Sequence, residues 1–174
     1  MWQSVTTKTA VYAALAVFVL TGCQAPYEFS SKPPLRKLRP AEIYDVDVDP
    51  KQNPVQTGEY YLKNKGYVQS VAYFEAALKG DPKNETALLG VASSYSMLGQ
   101  FKQADAYFQM FSETYGETAA YNNDFGFSQI LRGNLDRAET LLLRAHSQAP
   151  NSVTIKNNLD AIQKLRTNKQ AVAE

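Results

Sequence analysis

The chain has 174 residues, with 18 Lys and Arg against 17 Asp and Glu, one His, one Cys and a formal net charge of +1. That balance gives no general electrostatic pull toward nucleic acid, which wants a clearly basic domain or face, and one Cys with one His can form neither an internal disulfide nor a Cys/His zinc site. A hydrophobic fraction of 44% beside 20% charged residues is globular composition, in a length that suggests one domain with a tail.

The N-terminus reads MWQSVTTKTAVYAALAVFVLTGC, and Lys8 is its only charge before Glu28. Residues 9–20 are almost purely apolar, but a membrane-spanning helix needs about 20 such residues. A basic start, a short apolar run and small residues at its end have the form of a secretory signal. Leu20-Thr21-Gly22-Cys23 resembles the bacterial lipoprotein box. The resemblance implies removal of residues 1–22 and a lipid on Cys23. Two or three acyl chains anchor stably where one does not. Gln24, and not Asp, follows the cysteine, which by the same resemblance implies sorting to the outer membrane, facing the periplasm. Cleavage would leave 152 residues carrying 17 basic and 17 acidic side chains.

Residues 23–54 are expected to be a lipidated cysteine and a proline-rich tether. Six of the eight prolines fall here: Pro26, Pro33, Pro34, Pro40, Pro50 and Pro54. Each lacks an amide donor and disfavours helix at the residue before it, so an extended spacer is expected. Lys32, Arg36, Lys37 and Arg39 form a basic stretch, and Glu42, Asp45, Asp47 and Asp49 an acidic one. Either the segment is a solvated linker, or it docks on headgroups or on a partner.

From residue 55 the chain keeps a period of 34. Gly99 and Gly133, Ala104 and Ala138, and Tyr61 and Tyr95 are each 34 residues apart, and Pro82 and Pro150 twice that. The rows Phe74, Phe108, Leu142 and Thr57, Val91, Phe125, Leu159 keep the same step. Within a unit the apolar spacing predicts two helices. Leu88, Val91, Ala92 and Tyr95 stand on one face of the first, Gly99 ends it, and Phe101, Ala104, Phe108 and Phe111 mark the second. Ala104 is small enough to let the pair approach, with Phe108 filling the space beyond it. Asn84 and Ser152 stand where N-caps are needed.

This pattern resembles the tetratricopeptide repeat. Unit one departs most, with Pro54 at an aromatic position, Lys65 at a glycine position and Ser70 at an alanine position, so its first helix is expected to start near Gln56. After Pro150, Val153, Ile155, Leu159, Ile162 and Leu165 mark one amphipathic helix, the terminal cap such stacks require. The expected fold is therefore all-α: a repeat domain over residues 55–166 of about three helix pairs plus a C-terminal capping helix, about seven helices without a sheet, then a flexible tail at 167–174.

The residues offer no catalytic constellation. His146 stands alone near the edge of a predicted helix, and the tether carboxylates lie on a segment too mobile for acid–base geometry. We expect no enzyme, no cofactor, no metal and no small-molecule substrate. The repeat resemblance implies instead a concave groove lined by the first helix of each pair. Position by position this selects Glu59 and Lys63, then Leu89, Ser93 and Met97, then Asn123, Asp124 and Phe127, with Asn157 and Asn158 from the cap. The amides would bond a partner's backbone while the apolar groups fill pockets; alternatively, the polar groups merely solvate the groove, and Met97 and Phe127 pack between helices.

Finally, the runs Asn122-Asn123-Asp124-Phe125-Gly126-Phe127, Arg132-Gly133-Asn134-Leu135-Asp136-Arg137-Ala138-Glu139 and Asn157-Asn158-Leu159 are similar to those of small repeat lipoproteins of the TadD kind, from the Tad (Flp) pilus system. That resemblance implies a membrane-tethered partner for a pilus secretin or another secretion or pilus component, helping it to assemble or localise. An adaptor for a peptidoglycan-active enzyme or for outer-membrane protein assembly is the alternative.

Overall fold

The computed structural model describes residues 15–16, 28–29 and 46–173. Most of the expected signal segment, the lipidation site Cys23 and most of the tether lie outside the described residues. Two short backbone pieces of that region, Leu15–Ala16 and Glu28–Phe29, pair antiparallel, a departure from the expected absence of sheet that is too short to form a layer.

Seven helices follow among the described residues: α1 (Pro54–Lys63), α2 (Tyr67–Gly80), α3 (Glu85–Met97), α4 (Phe101–Tyr115), α5 (Ala119–Leu131), α6 (Leu135–Gln148) and α7 (Val153–Ala173). Their starts are written locally. Asn53 accepts hydrogen bonds from the amides of Val55 and Gln56, and Asn84 from that of Ala87. Thr118 caps Tyr121, and Ser152 reaches Ile155 at 3.4 Å. Each cap satisfies an amide that the first turn leaves unpaired.

The turns inside the three pairs are copies of one another. Gly66, Gln100 and Asn134 donate to the carbonyls of Tyr61, Tyr95 and Gln129, while Lys65, Gly99 and Gly133 donate to those of Leu62, Ser96 and Ile130. This double bond to the preceding turn needs a left-handed residue at the helix end. Gly99 and Gly133 supply it at φ 69° and 79°, and Lys65 adopts it at φ 64° without the glycine's freedom.

Two boundaries differ from expectation. α1 starts at Pro54, not near Gln56, because a proline at the first helical position gives up an amide that had no partner there. α7 runs to Ala173, past the expected end at 166. The apolar spacing stops near Leu165, but no Gly or Pro follows it to end the helix.

First and second helices of each pair pack together, and successive first helices α1, α3, α5 and α7 also pack on one another, whereas α2, α4 and α6 do not meet. The first helices thus form an inner layer around which the second helices splay. α3 sits at its centre, and every residue from Ala87 to Ser96 is buried. Phe74 from α2 enters between α1 and α3 and is fully buried. It fits because both inner helices present glycine to its ring: a Cβ on Gly58 would lie 2.8 Å from it, and one on Gly90 2.3 Å. Gly126 makes the same allowance for Leu142. Ala104 and Ala138 are fully buried, as expected of the small residues in the second helices.

Gly90→Ala tests this packing. Alanine favours helix by about 1 kcal/mol, yet its methyl group would overlap the Phe74 ring. Net destabilisation of about 1–3 kcal/mol is expected from urea unfolding, with most of it recovered when Phe74→Leu is added.

Candidate inner-face site

The inner helices carry many small polar side chains. Because α3 and α5 are enclosed by neighbours, these groups must find partners within the protein. Ser70 Oγ bonds the Gly58 carbonyl at 2.9 Å and Ser94 Oγ at 2.8 Å, joining the first pair to α3. Ser96 donates to Ser128 at 2.8 Å, joining α3 to α5. At the end of α5 the Arg132 guanidinium grips Asp105 through both nitrogens, at 2.9 and 2.5 Å. It also lies 4.6 Å above the Phe101 ring, so the joint between α4 and α5 is charged on one side and aromatic on the other.

The residues expected in the groove separate into two groups. Ser93, Asn123, Asp124 and Asn158 form one buried chain across three helices. Ser93 donates to Asp124 Oδ2 at 3.3 Å, and Asn123 donates to Asp124 Oδ1 at 3.0 Å. Asn158 donates to Asn123 Oδ1 at 2.9 Å. Leu89 and Phe127 are buried too: Leu89 belongs to the core around Phe74, and Phe127 to a second cluster with Ile130, Leu142 and Ile162, on which Met97 packs. Glu59 and Lys63 stand exposed on α1, while Met97 and Asn157 are half-buried.

Six of the ten residues are therefore structural cement as they stand, tied to each other or to the core. Inner-layer surface remains at Glu59, Lys63, Met97 and Asn157. Burial pushes the Asp124 carboxyl up to about 7, against the opposing pull of its bonds from Asn123 and Ser93. Burial also raises the Tyr121 hydroxyl, in the aromatic cluster with Phe108, Phe111 and Phe125.

Sequence reasoning missed the serine joints and the Arg132–Asp105 pair. Ser94 and Ser128 do keep the 34-residue step, but each bonds a residue outside that row. Gly90 has no glycine one period away, so no repeat pattern flags its contact with Phe74. Gly58, Ala92 and Gly126 do form a row of small residues at the period, a signal that was available for close helix approach. His146 is half-buried on α6, and its Nδ1 has no hydrogen-bond partner. Among the described residues no group of His, Cys, Asp and Glu is arranged to hold a metal ion, and no helix is long and apolar enough to cross a membrane.

Asn157 and Asn158 make a matched pair for measurement. Asn158→Ala strips the buried Asn123 carbonyl of its donor and should cost about 1–3 kcal/mol in denaturant unfolding. Asn157→Ala, nearer the surface, should stay within about 0.5 kcal/mol of the parent.

The comparisons with known proteins agree with this architecture. A family model described as Tetratricopeptide repeat matches residues 86–118, which span α3 and α4. No curated protein sequence matches the chain. Among solved structures, the first TPR domain of human RPAP3 is similar over 67% of this chain and 93% of its own, at 19% identity and a TM-score of 0.58. The Arabidopsis OM64 TPR domain covers 64% of this chain and 92% of its own, at 18% identity and a TM-score of 0.56. The first TPR of Spaghetti (RPAP3), bound to the HSP90 peptide SRMEEVD, covers 74% and 99%, at 21% identity and a TM-score of 0.54. Three helix pairs with copied turns, an inner layer of first helices and a closing helix together give residues 54–173 the fold of a tetratricopeptide-repeat solenoid.

Proposed function

We propose that the protein is a scaffold that binds a partner polypeptide on its inner helical layer and is held to the periplasmic side of the outer membrane by a lipid on Cys23. The observation that carries the binding reading is the inner layer itself. Four helices stacked side by side give a continuous surface of repeated geometry, suited to an extended or helical segment. Similar domains bind peptides, as the HSP90 and HSP70 peptide complexes of RPAP3 domains illustrate. Those peptides end in EEVD, but acidic ligands are a poor match here: α3 and α5 contain no Lys or Arg. The partner segment for this surface is neutral or basic and apolar, contacting Glu59, Lys63, Met97 and Asn157. Its docking supplies what the buried residues do not, since they are already engaged.

The anchor reading rests on Leu20-Thr21-Gly22-Cys23 and on the only cysteine standing at the end of the apolar run. The finer assignment, a role in assembling or localising a Tad or type IV-like pilus secretin, rests on the similarity of the segments around Asn123, Gly133 and Asn158 to Tad-system lipoproteins.

Fatty-acid labelling tests the anchor: the parent should take up label and Cys23→Ala should not. For the surface, the exposed positions are informative, since Asn123→Ala or Phe127→Ala would disturb the fold. Glu59→Lys combined with Asn157→Ala should weaken partner binding by about tenfold or more with the circular dichroism unchanged; unchanged affinity places the site elsewhere. Affinity capture from detergent-solubilised membranes should recover a secretin. A murein hydrolase or synthase in its place removes the pilus assignment and supports the peptidoglycan alternative.

A further inference from the structure

Asp124 is the only charged residue type among the buried polar side chains described. It sits midway along α5, and its two oxygens are met by two neutral donors, Ser93 from α3 and Asn123 from its own helix. No cation answers it. α3 offers only Glu85 and Tyr95, and the Tyr95 hydroxyl bonds Glu75. On α4, Asp105 is taken by Arg132. On α6, Arg144 pairs with Glu117, while Asp136 and Glu139 pair with Arg166 of α7. Lys102, Glu113, Tyr107 and Tyr115 of α4, Arg137 and His146 of α6, Lys156, Asp160 and Lys164 of α7, and Tyr121 of α5 form no hydrogen bond or ion pair with the Asp124 carboxyl. An ionised carboxylate in such a place carries a desolvation cost that two neutral hydrogen bonds do not cancel.

The chain of bonds continues from Asp124 through Asn123 to Asn158 on α7, and there it is incomplete: Asn158 Oδ1 is buried without a partner. Among the described residues α7 is also the last helix of the stack, with α5 and α6 beside it and only the short Leu15–Ala16 piece touching it from elsewhere. α3 and α5 lie between neighbours on both sides. The seam between α5 and α7 is thus where the inner layer opens at least cost, since terminal repeats have one interface fewer.

We propose that Asp124 is a proton-controlled latch on α7. When the carboxyl is neutral, its O–H donates to Ser93 Oγ, the bond from Asn123 remains, the seam stays dry and α7 stays docked. When it is ionised, hydration of the carboxylate is gained by α7 lifting from α5, which uncovers Asn123 and the Phe127 cluster. The sign follows from the folded-state value near 7, raised above the ordinary carboxylate range. The stabilisation is full below about pH 4 and is lost as pH rises through about 7. The consequence for binding, a wider inner surface at alkaline pH, rests on the scaffold reading; the latch itself does not.

Hydrogen exchange of the full chain, corrected for intrinsic exchange rates, tests it without a partner. Between about pH 5.5 and about pH 8.5, protection of the α7 amides should fall by about tenfold or more relative to those of α3. Asp124→Asn should hold α7 protection constant. A pH-independent α7 in the parent, an equal fall in Asp124→Asn, or a fall shared evenly by all seven helices overturns the latch. Should Asp124→Asn fail to fold, Ser93→Ala serves in its place. It removes a donor to the ionised form, so the transition should move to higher pH, and an unmoved midpoint counts against the proposal.

Discussion

The enclosure of α3 sets the terms for the rest of the molecule. A helix buried from Ala87 to Ser96 has no face for water, so each of its polar groups needs an internal partner and each of its neighbours must come close. Serine and glycine meet both demands. Gly90 admits the ring of Phe74, and Ser94 reaches both Ser70 and its own Gly90 carbonyl. Ser96 turns outward to Ser128 and so fixes the position of α5. Apolar burial holds each pair together, while short hydroxyl bonds set how pairs register on one another.

This division of labour explains why the outer and inner helices differ in pattern. α4 and α6 bury one stripe, Ala104, Phe108 and Phe111 or Ala138, Leu142 and Ala145, and leave the opposite face to water. α3 and α5 show no such stripe, because they are packed around most of their circumference. The same crowding closes much of the surface on which a partner was expected. Asp124 is the extreme case: the repeat geometry points it inward, and its neighbours supply amide and hydroxyl in place of a cation. A carboxylate so placed makes the last joint of the stack sensitive to protons, whereas Arg132, paired with Asp105 at a partly open edge, holds the preceding joint by charge.

Much of the fold was legible in the sequence because a repeat states its geometry several times. The step from Gly99 to Gly133 predicted identical helix ends, and the copied turn bonds follow from it. Phe74, Phe108 and Leu142 predicted one core row, and all three are buried. Lys65 marked unit one as irregular, and its left-handed backbone shows that the turn keeps its shape even where the residue is unfavourable. Pro54 reads as the last residue of the tether, yet it is the first residue of α1. The groove was less legible. Position within a repeat says which way a side chain points, not how far the next helix has advanced toward it.

The sequence by itself determined the period, the helix pairs, their caps and turns, and the small residues of the second helices, because those depend on contacts within about one repeat. Only the tertiary structure decided which inner-layer residues remain at the surface and which become mortar. Leu89, Ser93, Asn123, Asp124, Phe127 and Asn158 are buried, and Glu59 and Lys63 are not. That difference arises from the distance between successive pairs, which Gly90 shortens at a single point by admitting Phe74 of the preceding pair, and Gly90 has no counterpart one period away to record it.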